Sequence, residues 1–511
     1  MKRFQRAGLA AQAASLLAGA ALPLSLAPLD WWPVAPLALC VLLIAALHGS
    51  PAAAAWRGWL FGLGSFGVGT SWIFVSIHTY GDASVPLAAL LTFLFCGGLA
   101  LFTALGIFVW ARWLRGRPGG VLLGFPAMWV LTEWLREWCL TGFPWLYAGY
   151  SQIDGPLSGW APVVGVYGLG LMVAGSAAVI ASVAAQPREN SRARRIALVV
   201  MATIWLAGWP LSHIEWSRPS GTSLSVAMVQ GNIPQLLKWK PDHLQNTLGI
   251  YAQLSRPLWG SDLVVWPESS VPAYFDTVAD FLSEQATQAA AAGSTLLLGL
   301  PSREDDPSSR RGYAAFNSVV ALGAESGIYH KRHLVPFGEY VPLESTLRGL
   351  IAFFDLPMSS FSSGPADQAL LRGAGTAIAP LVCYEIVYPE LVRSGVLAGA
   401  ALLLTVSNDT WFGASLGPLQ HLQMARMRAL ENSRDLVRAT NDGVSALIDH
   451  QGRITARGAQ FTREVIRGEV QPREGLTPFA RLGCWPVIGL CLLMLLPVLV
   501  RRGLQSPEDD G

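Results

Sequence analysis

The run Asp262-Leu263-Val264-Val265-Trp266-Pro267-Glu268-Ser269-Ser270 decides most of the fold. Its apolar stretch lacks the polar alternation of a strand with one face in water, so it suits a strand buried on both faces. Pro267 has no amide hydrogen for a ladder, so it ends the strand and fixes where Glu268 emerges. Leu402-Leu403-Leu404-Thr405-Val406 is a second run of the same kind. Working outward, further strands are expected at Leu224–Val229, Thr295–Leu300, Asn317–Leu322, Ala377–Val382 and Ser445–Ile448, with the run at 402–406 beginning at Ala401. Helices are expected near 241–256, 278–292 and 417–435. In the last, Leu419, Leu422, Met427 and Leu430 share one stripe, the pattern of a buried core face. Residues 217–481 therefore read as a layered α/β domain with helices covering its sheets.

Outside that insert the sequence changes character. Of 511 residues, 52% are hydrophobic and only 14% charged, against about 25% charged in a soluble domain. Disorder is excluded by the same figures. With 36 basic and 34 acidic residues there is no basic excess for nucleic acid, and six cysteines in so long a chain make no disulfide scaffold. Apolar runs near 7–28, 31–47, 56–77, 86–110, 119–138, 161–185 and 196–212, and an eighth from Leu482 to Val500, each suit a helix across a hydrocarbon core of about 30 Å. Pro33, the pair Gly81-Asp82 and Pro118-Gly119-Gly120 lie in the breaks.

Orientation follows from the short loops. Lys2, Arg3 and Arg6, then Arg57, then Arg112, Arg115 and Arg117, then Arg188, Arg192, Arg194 and Arg195, and finally Arg501 and Arg502 all fall on one side. That side is read as cytoplasmic, with residues 217–481 on the opposite face of the membrane and both termini cytoplasmic. The organisation expected is a seven-helix membrane domain at 1–216, the α/β domain at 217–481, a closing membrane helix at 482–503 and a tail at 504–511. Residues 1–28 have the basic start and apolar core of a signal peptide, but more spans follow and no clear cleavage site is visible, so an uncleaved first helix is expected. Glu133, Arg136 and Glu137 have the spacing to pair on one helix face near the interface. Trp31, Trp32, Trp56, Trp59 and Trp72 fit interfacial belts.

Three segments of the insert carry chemistry. Glu268 follows the strand already quoted. Tyr329-His330-Lys331-Arg332-His333-Leu334-Val335-Pro336-Phe337-Gly338-Glu339-Tyr340 places a lysine ahead of a second carboxylate. Pro380-Leu381-Val382-Cys383-Tyr384-Glu385-Ile386 ends a strand on the insert's single cysteine. Alone, such a cysteine is more often a small core residue than a nucleophile. With Glu268 to take its proton and Lys331 to stabilise an oxyanion, it becomes a candidate nucleophile. His330 and His333 are too few for a zinc site and are read as surface or supporting residues, so no metal and no cofactor are expected.

The order Glu, Lys, Cys, each after a strand, resembles the nitrilase or carbon–nitrogen hydrolase superfamily, whose fold implies an α-β-β-α sandwich. With the membrane spans added, nearly the whole chain is similar to the apolipoprotein N-acyltransferase family. The motifs carrying this are Gln230-Gly231-Asn232-Ile233-Pro234-Gln235 with Trp239, Trp266-Pro267-Glu268-Ser269, His333 through Pro342, Cys383-Tyr384-Glu385, Ser407 through Gly413, and Gln420-His421. The resemblance implies Glu268, Lys331 and Cys383 as catalytic residues, supported by Glu339, Tyr384, Glu385 and Trp239. It also implies transfer of a fatty acyl chain from a phospholipid, typically phosphatidylethanolamine, to the N-terminal amine of a diacylglyceryl-modified apolipoprotein. A thioester on Cys383 and ping-pong kinetics follow from that chemistry.

Both substrates live in the bilayer, and the apolar stretch Leu347–Phe361, with Phe353 and Phe354 at its centre, is expected to be a lid loop that dips into lipid; the alternative is a loop buried in the core. Asn408 and Asp409 suit a turn, and Gln420 and His421 suit capping or packing. Nothing in the sequence demands more than a monomer. Two rival readings stay open at this point: a membrane-tethered nitrilase-type amidase, and a non-catalytic transporter or membrane assembly factor.

Overall fold

The computed structural model describes residues 2–185, 191–309, 311–342 and 360–500. The chain divides into two compact units. One takes the residues up to Ser71, Ala89–Ile214 and the chain from Leu482, and the other takes Trp72–Ala88 and Glu215–Arg481.

The first unit is helical: Lys2–Ala21, Val34–Ala46, Pro51–Gly69, Val85–Val109, Phe125–Trp138, Ala161–Ala185, Ser191–Leu211 and Trp485–Val500. Local chemistry sets the boundaries. Ser50 caps the third helix by accepting from the Ala53 amide at 3.2 Å, and Pro51 supplies the preset φ of a first helical turn. The interior packs Leu39, Leu42 and Leu43 against Phe61, Trp110 and Phe125, while Ala174, Ala177 and Ala178 present small side chains to their neighbours. Small residues let helices approach closely where no hydrophobic force separates lipid from protein. Leu90, Phe93, Leu94, Leu101 and Leu105 stay exposed along one helix, a face that suits hydrocarbon and not water.

Among the described residues, four helices are long and apolar enough to cross a membrane, and a fifth is reached if Pro51–Gly69 and Trp72–Tyr80, bent by 56°, count as one. Val34–Ala46 and Trp485–Leu499 are apolar but shorter. At 1.5 Å per residue these fall short of the hydrocarbon thickness. The expected span at 56–77 is therefore not one straight helix: beyond the bend, Trp72 packs edge-on against Phe412 at 4.6 Å and the Ser76 hydroxyl donates to the Trp411 carbonyl at 2.8 Å. Glu133, Arg136 and Glu137 are also more than a row of charges on one face. Glu133 accepts from the Trp129 indole at 3.0 Å and the Ala148 amide at 2.9 Å, Arg136 donates to the Trp145 carbonyl at 2.7 Å, and Glu137 accepts from the Tyr167 hydroxyl. They tie the helix to the segments that follow it in the chain.

Among the described residues, the second unit holds a short pair, Arg218–Pro219 with Arg473–Glu474, and two six-stranded sheets made of twelve strands. In chain order these are β1 (Leu224–Gln230), β2 (Leu263–Val265), β3 (Thr295–Asp305), β4 (Tyr313–Gly323), β5 (Gly327–His330), β6 (Leu371–Gly373), β7 (Thr376–Val382), β8 (Leu402–Ser407), β9 (Leu436–Thr440), β10 (Ala446–Ile448), β11 (Ile454–Arg457) and β12 (Glu464–Val470). The sheet orders are β12-β1-β2-β3-β4-β5 and β11-β10-β9-β8-β7-β6. In each, three central strands run parallel, and the outer strands pair antiparallel. Helices α1 (Pro241–Ser255), α2 (Ala279–Ala291), α3 (Pro389–Leu397) and α4 (Gly417–Asn432) flank them.

Alternation along the strands sorts side chains into layers. Val226, Met228, Leu263, Val265 and Leu297 meet Ile378, Val382, Leu402, Leu404 and Val406 between the sheets. Ala227, Val229, Val264, Leu296 and Leu298 point the other way, onto Leu248 and Tyr251 of α1 and Leu282 of α2. On the far side, α3 packs on β7 and α4 on β9. The α-β-β-α order is the sandwich expected. Strands β5, β6, β9, β11 and β12 were not anticipated: β5 and β6 are very short, and β12, at a sheet edge, carries charges on its wet face.

Candidate active site

Three strand ends converge within the sandwich. Glu268 stands just past β2 and is 5% exposed, Lys331 directly follows β5 and is 1% exposed, and Cys383 directly follows β7, half-buried. Close packing fixes the first: a Cβ at Gly299 would come within 2.6 Å of the Glu268 Cα, so that neighbour on β3 has to be glycine for the carboxylate's backbone to lie where it does. Cys383 has φ of +51°, a left-handed conformation that β-carbon sterics disfavour. Such local strain at the start of a tight turn turns the thiol out of the strand direction.

Around Lys331 the charges interlock. Its Nζ lies 2.7 Å from Glu339 Oε2 and 3.9 Å from Glu268 Oε1. The Asn317 amide, on β4, donates to both carboxylates, at 2.7 Å to Glu268 and 2.8 Å to Glu339. The Asn408 amide hydrogen goes to Glu268 Oε2 at 2.8 Å, and that of Val335 to Glu339 Oε2 at 2.8 Å. Burial works against the Lys331 charge, but Glu339 and Glu268 outweigh it and hold the ammonium above its ordinary value. Burial pushes Glu268 up, opposed by Lys331 and reinforced by Glu339. The Cys383 thiol is likewise pushed up by burial and then by Glu268, with Lys331 opposing. The resting group is thus a neutral thiol beside a carboxylate with raised proton affinity.

Glu385 lies under the nucleophile's turn. It accepts from the Val382 amide at 2.8 Å, the Arg332 amide at 2.7 Å, the His333 amide at 3.1 Å and the Tyr329 hydroxyl at 3.0 Å. It therefore joins the Lys331 loop to the Cys383 turn. Tyr384 is buried in an aromatic group with Tyr388, at 5.2 Å, and His333, at 6.1 Å. Trp239 is half-buried, and its indole nitrogen has no hydrogen-bond partner among the described residues. Phe353 and Phe354 lie outside the described residues. His330 is not at the surface: it is buried, bonded to Ser318 at 2.8 Å and to Glu304 at 3.0 Å.

Several contributors were given no role in the site by the sequence reading. Asn317 sits inside an apolar strand, where a lone amide is itself a signal, because a buried polar group needs partners. Asp409 and His421, read as turn and cap, belong with Arg438 to a buried network: Arg438 donates to Asp409 at 2.7 Å, and His421 Nε2 lies 3.1 Å from the Cys383 carbonyl. Burial and Arg438 lower the His421 pKa, so a neutral ring donates to that carbonyl and steadies the turn.

Lys238 is the least expected. It is 1% exposed, and its ammonium has no hydrogen-bond partner among the described residues. Burial lowers its pKa from 10.5 to about 8, with Glu268 and Asp442 opposing. A group lowered in this way binds fewer protons folded than unfolded between pH 8 and 10.5, so stability rises with pH across that window. The thermal midpoint should therefore climb over that range in the parent relative to Lys238→Met, by the equivalent of about 3 kcal/mol at most. Parallel pH curves for the two proteins, measured with reductant present, would contradict that assignment.

Known proteins fit this geometry. The family described as "Carbon-nitrogen hydrolase" matches residues 225–477, and the one described as "Apolipoprotein N-acyltransferase N-terminal domain" matches residues 18–179. An apolipoprotein N-acyltransferase of Pseudomonas paraeruginosa is 49% identical across 99% of both chains. The chain belongs to the apolipoprotein N-acyltransferase family. Its members from Azotobacter vinelandii and Methylococcus capsulatus are 49% and 43% identical, covering 98% and 97% of this chain and 97% of each of theirs. As a member it is an acyltransferase whose catalytic domain is of the carbon–nitrogen hydrolase kind, joined to a helical unit suited to a membrane.

Proposed function

We propose that this acyltransferase moves a fatty acyl chain from phosphatidylethanolamine to the α-amine of a diacylglyceryl-cysteine at an apolipoprotein's N-terminus, as the last step of lipoprotein maturation. Glu268, Lys331 and Cys383 are its catalytic residues. The observation that carries this reading is the buried cluster of Lys331, Glu268, Glu339 and Asn317 beside a strained cysteine. Glu268 takes the Cys383 proton as sulfur attacks the ester carbonyl, and Lys331 faces the oxyanion that forms. Collapse breaks the ester C–O bond, Glu268 returns the proton to the departing lysophospholipid, and a thioester remains. The amine, whose ordinary pKa is near 8, attacks that thioester in its neutral form. Glu268 accepts the amine proton, the C–S bond breaks and the thiol is restored.

Supporting roles follow from contacts. Glu339 orients Lys331 and Glu385 joins the two loops, while Tyr384 and Trp239 are assigned to substrate binding by the family resemblance. The chain is taken to cross the inner membrane eight times, with domain limits at 216, 481 and 503 and residues 217–481 in the periplasm. The one-sided basic loops support that orientation, and the bent pair with the shorter helices Val34–Ala46, Phe125–Trp138 and Trp485–Val500 supports that count. A hydrolase would need neither a helical unit nor a second lipid substrate. Initial rates with phosphatidylethanolamine and a diacylglyceryl-cysteine peptide varied together should give parallel double-reciprocal lines. Intersecting lines would mean both substrates bind before chemistry, and the thioester route would be wrong.

A further inference from the structure

A cleft lies in the helical unit, with a volume of about 1540 Å³, above the roughly 300–1,000 Å³ of ordinary ligand pockets. Leu171 and Val179 of Ala161–Ala185, Ile196 and Val200 of Ser191–Leu211, and Leu490 of Trp485–Val500 form its apolar walls. Arg112, Arg115, Arg117 and Arg192 line it too, all at helix ends, and no acidic side chain is among its described lining residues. Two of these arginines are held in place. Arg115 donates to the Ala46 and Gly49 carbonyls at 2.7 Å each, and Arg117 donates to those of Val498 and Leu499 at 3.2 and 2.9 Å. Carbonyls orient a guanidinium without cancelling its charge. Arg112 is exposed, with its guanidinium 5.7 Å from the Trp113 ring centroid.

The bonds from Arg115 to Gly49 and from Arg117 to Val498 gather these helix ends at one mouth of the cleft. Ser191–Leu211, which forms one wall, is only 6% buried over its span. An apolar-walled cleft with four arginines in its lining, two of them held in place, matches an amphiphile with an anionic head and alkyl tails. We propose that this cleft is a binding site for an anionic diacyl phospholipid, with the phosphate at the arginines and the chains between Ser191–Leu211 and Ala161–Ala185. The lipid supplies the packing which that helix otherwise lacks. This does not rest on the catalytic reading.

The test uses the full chain carrying Cys383→Ala, so that no bound lipid is consumed, stripped of lipid in detergent. Native mass spectrometry and thermal melting are run with dioleoyl phosphatidylglycerol, phosphatidylcholine and phosphatidylethanolamine, and with inorganic phosphate. Phosphatidylglycerol should be retained one to one and raise the melting midpoint. Arg112→Gln with Arg192→Gln should weaken retention about fivefold for each arginine. Ala197→Trp, which narrows the apolar wall and leaves the arginines alone, should weaken retention of every lipid, and it carries the test by itself if the arginine double variant does not fold. Equal retention of phosphatidylglycerol and phosphatidylcholine, retention unchanged in Ala197→Trp, or the same stabilisation by inorganic phosphate would overturn the proposal.

Discussion

Lys331→Met should abolish turnover and also destabilise the α/β unit, the largest combined effect expected from any single change at the site. The substitution leaves Glu268 and Glu339 facing each other, both 5% exposed and bridged only by the Asn317 amide. Removing one partner of a buried charge group costs about 3–5 kcal/mol, because the remaining charges stay desolvated. Without the ammonium to oppose it, Glu339 raises the proton affinity of Glu268 further. A raised carboxyl stabilises the folded state below its unfolded pKa, and that stability is lost as pH rises through the folded value. The variant should therefore recover part of its thermal midpoint, relative to the parent, as pH is lowered from 7 to 5. A variant as stable as the parent at pH 7, with no such recovery, would show that Lys331 does not balance these carboxylates.

Glu268→Gln is the cleaner chemical lesion. Lys331 keeps its 2.7 Å partner Glu339, so the fold should hold and the melting midpoint should stay close to the parent's. What disappears is the proton acceptor. Because burial pushes the Cys383 thiol up, no appreciable thiolate is present without a base. Loss of a general base lowers rates by about 10²–10⁴. Both half-reactions should fall by a factor in that range, and single-turnover acylation and deacylation can be timed separately. If acylation stayed fast and only deacylation slowed, Cys383 would be ionised by some other means, with Lys331 the first suspect.

The contrast between these variants shows how much of the site could be read from sequence. Glu268 was visible because a proline ends its strand, and Cys383 because an apolar strand stops on it. Lys331 and Glu339 came from a single stretch of sequence. Asn317 was not visible in that way: its partners lie far off in the chain, and only the antiparallel pairing of β4 with β5 brings it beside Lys331, whose amide donates to the Asn317 carbonyl at 2.8 Å. Arg438 was hidden for a similar reason. It stands in β9, and its pairing with Asp409 and its place near His421 depend on β8, β9 and α4 packing together.

Hydropathy located the helical unit but could not measure its helices. Val34–Ala46 stops short of its apolar run, and the run at 56–77 breaks near Thr70. The break lets Trp72 and Ser76 join the α/β unit at Trp411 and Phe412, a tertiary contact that no window of hydropathy contains. Glu133, Arg136 and Glu137 gave the correct warning that polar groups lie among apolar ones. Glu133 keeps one partner on its own helix, Trp129, but the others, Trp145, Ala148 and Tyr167, come from later segments, so the three anchor the helix in a way that spacing alone did not show.

The central claim is that the acyl chain rests on Cys383 between donor and acceptor. Intact-mass measurement of the full chain after incubation with phosphatidylethanolamine tests it most directly. The expected result is an added mass of one acyl chain, absent from Cys383→Ala and cleared by a diacylglyceryl-cysteine peptide as the acylated peptide appears. Sustained transfer with no adduct on the enzyme, or an adduct that survives in Cys383→Ala, would contradict it.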